Sequence, residues 1–126
     1  MAVVVDASAL GAIMFGEPEG ATLRAHLEGD TLLAPALIDY ELMTLTLKKI
    51  RTRPQTVSQA LAVLGAALRL PISRVSVPGI EVCALAARTG LTAYDASYLW
   101  LAESRDIELV TLDGPLANAA AARGRD

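Results

Sequence analysis

Short apolar runs rich in β-branched residues alternate along this chain with longer stretches that carry helix signals. That alternation limits the fold more than any other feature. Val3–Val4–Val5 ends at Asp6 and reads as a strand buried on both faces. Thr31–Ala34 is a second short run, Ile72–Val77 a third between two prolines, and Ile107–Leu112 the last. Between them the pattern predicts helices over Ala7–Phe15, from Pro18 to Gly29, and from Pro35, well placed at a helix start, to about Arg53. Pro54 must break that helix and start another through Leu70; further helices are expected over Gly79–Arg88, Ala93–Arg105 and Pro115–Arg123. Strands alternating with helices imply an α/β fold: a parallel sheet covered on both faces, joined by right-handed crossovers. No linker, repeat or low-complexity tract interrupts the 126 residues, so one domain spanning 1–126 is expected. Ligands in such sheets bind at the carboxyl ends of the strands, where Asp6 ends the first and Asp113 follows the last.

Several function classes drop out on composition. The one cysteine, Cys83, cannot form an internal disulfide, and with His26 the only histidine a Cys/His zinc site is excluded. Cys83 reads as a small core residue and His26 as an exposed one. The longest uncharged stretch, Pro54–Leu68, has 15 residues, short of the roughly 17 to 20 a bilayer requires. No basic region precedes the first apolar run, so no secretory signal is expected and the cytoplasm is the default compartment. The net charge of −3 argues against a nucleic-acid partner only while every carboxylate is counted as free. Setting four aside as metal ligands leaves ten acids against eleven bases.

Each acidic candidate has a plain structural explanation. Asp6 suits the cap of the helix starting at Ala7, Asp113 lies in the turn sequence Asp113–Gly114–Pro115, and Asp95 follows Thr92 at capping-box spacing. Glu41 is harder to dismiss. With Leu37 at zero and about 100° per residue, Glu41 falls near 40°, between Leu37 and Leu45 near 80°, inside the apolar stripe of Ile38 and Leu42. Asp39 falls near 200°, beside Thr46 on the polar side. A charge among core residues is costly unless paired or bound to metal. Lys48, near 20°, is the structural partner to weigh, by a salt bridge. Tyr40, Met43 and Leu47 form a second apolar side, as for a helix facing a further partner. Four convergent carboxylates would raise one another's pKa, and a hard cation with oxygen ligands, Mg²⁺ or Mn²⁺, removes that penalty.

The residues resemble the PIN-domain nucleases, and among them the VapC-type toxins of bacterial toxin–antitoxin pairs. Val3-Val4-Val5-Asp6-Ala7-Ser8-Ala9-Leu10 resembles the opening strand and D-x-S-A-L motif, and Pro35-Ala36-Leu37-Ile38-Asp39-Tyr40-Glu41 the helix acid. Gly90-Leu91-Thr92-Ala93-Tyr94-Asp95-Ala96-Ser97-Tyr98-Leu99 is similar to the Y-D-A-x-Y segment, and Leu109-Val110-Thr111-Leu112-Asp113 to the closing T-x-D motif. Two departures stand out: Thr44 where the family often has asparagine, and an end at Arg123-Gly124-Arg125-Asp126 where it often has another strand. The resemblance implies a PIN-like three-layer α/β/α sandwich with a parallel sheet of four to five strands. It implies a Mg²⁺- or Mn²⁺-dependent endoribonuclease leaving 5′-phosphate and 3′-hydroxyl ends. Asp6, Glu41, Asp95 and Asp113 would form the acidic site, Asp6 and Asp95 nearest the metal and Glu41 and Asp113 on metal-bound water or a second ion. Ser8 would orient Asp6 or a water and Thr111 do likewise for Asp113, unless the two hydroxyls are ordinary helix-cap and strand groups.

Lys48, Lys49, Arg51 and Arg53 put four of eleven basic residues within six positions, either as a solvated helix end or as a grip on RNA phosphates. Aromatics are too scarce for extensive base stacking. The resemblance supplies two partners besides RNA: a second copy in a homodimer, and a VapB-type antitoxin placing a basic side chain among the acids. Two rivals remain in view. A catalytically inactive PIN scaffold would bind RNA or protein only. A receiver-like phosphoacceptor domain would need adjacent acids after the first strand and a late lysine, whereas Ala7 follows Asp6 and no lysine follows Lys49.

Overall fold

The computed structural model describes residues 1–123. Four parallel strands, β1 (Ala2–Val5), β2 (Thr31–Pro35), β3 (Ser73–Val75) and β4 (Leu109–Val110), form a sheet in the order β3-β2-β1-β4. The register pairs Val4 with Leu33 on one side and with Leu109 on the other, so β1 lies inside the sheet. That position explains its unbroken run of valines: Val3, Val4 and Val5 are all buried, as a strand covered on both faces requires. The tail that departs from the family pattern, Gly124–Asp126, lies outside the described residues.

Seven helices follow among the described residues: α1 (Ala7–Met14), α2 (Gly20–Leu27), α3 (Ile38–Thr52), α4 (Val57–Leu68), α5 (Gly79–Thr89), α6 (Ala93–Arg105) and α7 (Gly114–Arg123). α1 packs with α2, α3 and α4, while α6 packs on β1 and β2 and joins α5 and α7, giving a PIN-like α/β/α sandwich. One contiguous core runs through it from Val4 and Ala9 to Ile38, Leu42, Tyr98 and Leu116. The approach of α1 to α3 is close: a Cβ on Gly11 would meet Leu45 Cδ1 at 2.9 Å. Gly90, at φ 77°, ends α5 in the left-handed conformation that favours glycine and turns the chain toward α6.

Several expectations are corrected. Pro35 closes β2 instead of opening a helix, and α3 begins at Ile38. Its missing N–H costs little there, because β1 pairs with β2 only as far as Leu33, while Ala36 N–H continues the ladder to Val75. Pro54–Thr56 forms one 3₁₀ turn before α4 instead of the first turn of a single helix. Thr46 is buried and donates its hydroxyl back to Leu42 O, which removes the polar cost of that position. Cys83 is exposed; on α5 it is the adjacent Val82, with Leu85, that faces the core.

Candidate active site

Asp6 is the residue where the central strand becomes a helix. Its extended backbone ends β1, and its side chain caps α1 by accepting from Ala9 N–H at 3.0 Å. The Ser8 hydroxyl donates to the same oxygen at 2.7 Å, and the Thr111 hydroxyl to the other. Both hydroxyl protons are then committed to Asp6, so each oxygen is left to accept. Ser8 Oγ takes Leu112 N–H and Thr111 Oγ1 takes Asp113 N–H, each at 2.9 Å. These bonds tie the end of β1 to the segment leaving β4. Thr111 orients the Asp6 side chain, while it meets Asp113 only through the backbone.

Glu41, in the first turn of α3, is half-buried. Its partner is not Lys48 but the hydroxyl of Tyr98, which donates to Oε1. Tyr98 itself is buried on α6, and its phenol is pushed well above its ordinary range by burial and by the facing Glu41, so it stays a proton donor. Nothing in the linear pattern singles out this pair. The signal that could have found it is spacing: Tyr98 stands one helical turn after Asp95 and so shares its face of α6. Asp39 is accounted for structurally, since Arg74 Nε donates to both its oxygens at 2.9 and 3.0 Å.

Asp95 sits in the first turn of α6, its N–H capped by the Thr92 hydroxyl at 3.1 Å. Asp113 caps α7, its Oδ2 accepting Leu116 N–H at 2.9 Å. All four acids line one open cleft of about 480 Å³, with Ser8, Thr44, Tyr40 and Tyr94 among its other walls. Thr44, at the family's asparagine position, spends its hydroxyl on Tyr40 O.

No basic side chain lines this cleft, and none of the four acids belongs to an ion pair among the described residues. Burial raises the carboxyls of Asp6, Glu41 and Asp95 above their ordinary ranges. Neighbouring charge adds to it: Asp113 acts on Asp6, Asp95 and Asp6 on Glu41, and Asp113 and Asp6 on Asp95. Hydrogen bonds oppose the rise, from Thr111, Ala9 and Ser8 at Asp6 and from Tyr98 at Glu41. Among the described residues no three acidic, histidine or cysteine side chains stand close enough to enclose an ion by themselves. An all-oxygen donor set around an open cleft still fits a hard cation of the Mg²⁺ kind, which keeps several waters and takes one or two carboxylates.

The four basic residues separate. Lys48, Lys49 and Arg53 line a second cleft, which Arg51 does not. His26 is half-exposed and is hydrogen-bonded to Glu108 at 3.0 Å. No described helix is long and apolar enough to cross a membrane.

Comparison with known proteins identifies the family. The PIN domain family matches residues 3–122. Ribonuclease VapC12 of Mycobacterium tuberculosis is 32% identical over 117 residues, covering 93% of this chain and 91% of that protein. Ribonuclease VapC9 of the same organism is 32% identical over 122 residues, covering 96% and 93%. The crystal structure of PAE2754 from Pyrobaculum aerophilum superposes with a TM-score of 0.72 at 34% identity, covering 92% of this chain and 85% of that one. A family match that runs from the first strand to the last helix makes this chain a member of the PIN domain family.

Proposed function

We propose that this protein is a VapC-like toxin, a divalent-metal-dependent endoribonuclease that hydrolyses RNA phosphodiesters in the acidic cleft. The observation that carries the reading is the meeting of Asp6, Glu41, Asp95 and Asp113, brought from separate elements into one cleft with no cation among its walls. The names of the ribonuclease relatives support the substrate class. Asp6 and Asp95 would hold Mg²⁺ or Mn²⁺, with Glu41 and Asp113 completing the site. A bound ion there supplies charge neutralisation and Lewis-acid polarisation of the phosphoryl group.

The chain's own groups do the rest. Ser8, Thr111 and the Ala9 N–H fix the Asp6 carboxylate, so its geometry is set before substrate arrives. Tyr98 holds Glu41 in the same way. Glu41, which Tyr98 holds in place and which is not one of the two carboxylates nearest the ion, would accept the proton of the attacking water. An uncompensated acidic cleft also suits neutralisation by a VapB-type antitoxin that inserts a basic side chain. We infer a homodimer as well, supported by the exposed apolar side chains of Tyr40, Met43 and Leu47 on α3. The test is cleavage of cellular RNA with Mg²⁺ or Mn²⁺ by the wild type and by Asp6→Asn and Asp95→Asn. Loss of cleavage in both, with the fold retained, is expected; undiminished cleavage by both ends the proposal.

A further inference from the structure

The C-terminal half of α3 faces a second, larger cleft, of about 750 Å³, bounded also by the end of α1, the 3₁₀ turn and α4. Its floor is apolar, with Phe15, Leu45 and Val63, and its cations are Lys48, Lys49 and Arg53. Leu45 belongs to both clefts. The helix wheel explains why: Glu41, Leu45, Lys48 and Thr52 fall within about 60° of one another, so one stripe of α3 runs from the acidic cleft into the basic one. At a rise of 1.5 Å per residue, Lys48 stands about 10 Å along the helix from Glu41, and Arg53 follows the last residue of α3.

The three cations are not equivalent. Lys49 is held by Glu17 at 2.6 Å and lies 4.9 Å from the centre of the Phe15 ring. Lys48 and Arg53 are exposed and belong to no ion pair among the described residues. Two free cations beside an apolar floor match the chemistry of a nucleotide, with phosphate at the rim and sugar and base on the floor. They also answer a difficulty of the acidic cleft, which by itself repels the polyanion it is proposed to cut.

We propose that this second cleft is a substrate subsite that holds the RNA strand beyond the scissile phosphate, with Lys48 and Arg53 on backbone phosphate and the Glu17–Lys49 pair limiting its positive charge. This rests on the ribonuclease reading above, and two independent measurements keep their failures apart. The first is binding of labelled single-stranded RNA, with chelator present so that no cleavage occurs, at several salt concentrations. Lys48→Ala and Arg53→Ala should each weaken binding roughly threefold to tenfold and lower the salt slope by about 0.7, as for the loss of one phosphate contact. Glu17→Gln should tighten it. The second is steady-state cleavage. The two alanine variants should raise KM on long RNA with kcat unchanged, and should leave unaltered the cleavage of an oligonucleotide too short to span both clefts. Unchanged RNA affinity in both alanine variants, or equal KM losses on long and short substrates, overturns the subsite. So does a result in which an acidic peptide, and not RNA, loses affinity. Wild-type protein that binds RNA in this way but never cleaves it overturns the nuclease reading, and with it the substrate role of the second cleft, and leaves that cleft an RNA-binding site.

Discussion

Replacing Tyr98 by Phe removes one hydroxyl and little else, because the ring is buried in the core and phenylalanine fills nearly the same space. What is lost is the donor to Glu41 Oε1, together with the oxygen that accepts from the Ala7 backbone, a loss that does not vary with pH. A hydrogen bond to a charged acceptor contributes about 1.5–3 kcal/mol, and a neutral one about 0.5–1.5 kcal/mol. Glu41 has its carboxyl raised above 4.5 by burial, with Tyr98 as the group holding it down. Removing Tyr98's hydroxyl therefore raises that carboxyl further. A carboxyl raised in the folded state favours stability at low pH and loses that contribution as pH climbs from the unfolded value through the folded one. Tyr98→Phe extends that loss upward, so its destabilisation should be about 1.5–3 kcal/mol at pH 7 and shrink to the neutral value at pH 4. Urea unfolding with chelator present, at both pH values, reads this directly. Glu41→Gln is the control: in that background the Tyr98→Phe cost should be smaller than at pH 7 in the Glu41 background and independent of pH. A cost below about 0.5 kcal/mol at pH 7, or one that does not change with pH in the Glu41 background, refutes the account of how Glu41 is held.

Three further outcomes follow from the same geometry. Thr111→Val takes a donor from Asp6 and the acceptor from Asp113 N–H together, and should cost about 2–3 kcal/mol in thermal melts, with Thr111→Ser restoring most of it. Mg²⁺ or Mn²⁺ at roughly 100 times its Kd should stabilise the wild type by about 2.7 kcal/mol, a rise of about 8–14 °C in Tm, and Asp95→Asn should abolish the shift; a wild type indifferent to both ions contradicts the metal assignment. Asp6→Asn should keep the cap on α1 while Asp6→Ala loses it, so the alanine variant should be less stable by about 1 kcal/mol although both are inactive.

The order of strands and helices was legible because it rests on local signals. A buried parallel strand needs an unbroken run such as Val3–Val5, and a helix between strands shows its start and stop residues. Strand ends were not legible: the Ile107–Leu112 run contributes only Leu109–Val110, since apolar residues continue past the point where a neighbouring strand offers hydrogen bonds. Pro35 was misplaced for the same reason, its tolerance depending on how far β1 reaches. At the site, the helix wheel identified Glu41 as a carboxylate in an apolar stripe. It gave the wrong partner because Lys48 shares that face of α3, whereas Tyr98 comes 57 residues later on another helix. A wheel sees one helix at a time, and the partner of a half-buried charge is usually a tertiary contact.

The capping and functional readings of the acids turn out to be one arrangement. Asp6 caps α1, Asp113 caps α7, Asp95 sits in the first turn of α6 beneath its Thr92 cap, and Glu41 lies in the first turn of α3. Each acid thus stands at the positive end of a helix, where the free N–H groups and the macrodipole favour negative charge. Four helix N-termini converging on one cleft offset part of the repulsion that four clustered carboxylates would otherwise impose. The carboxyls of Asp6, Glu41 and Asp95 still stand above their ordinary ranges, chiefly through burial and further through the neighbouring carboxylates. At its other end α3 carries Lys49 and Arg51 in its last turn, the complementary placement. Acids thus stand at one end of α3 and bases at the other, the acidic cleft lying toward the first and the cleft lined by Lys48, Lys49 and Arg53 toward the second. A net charge of −3 describes neither of them.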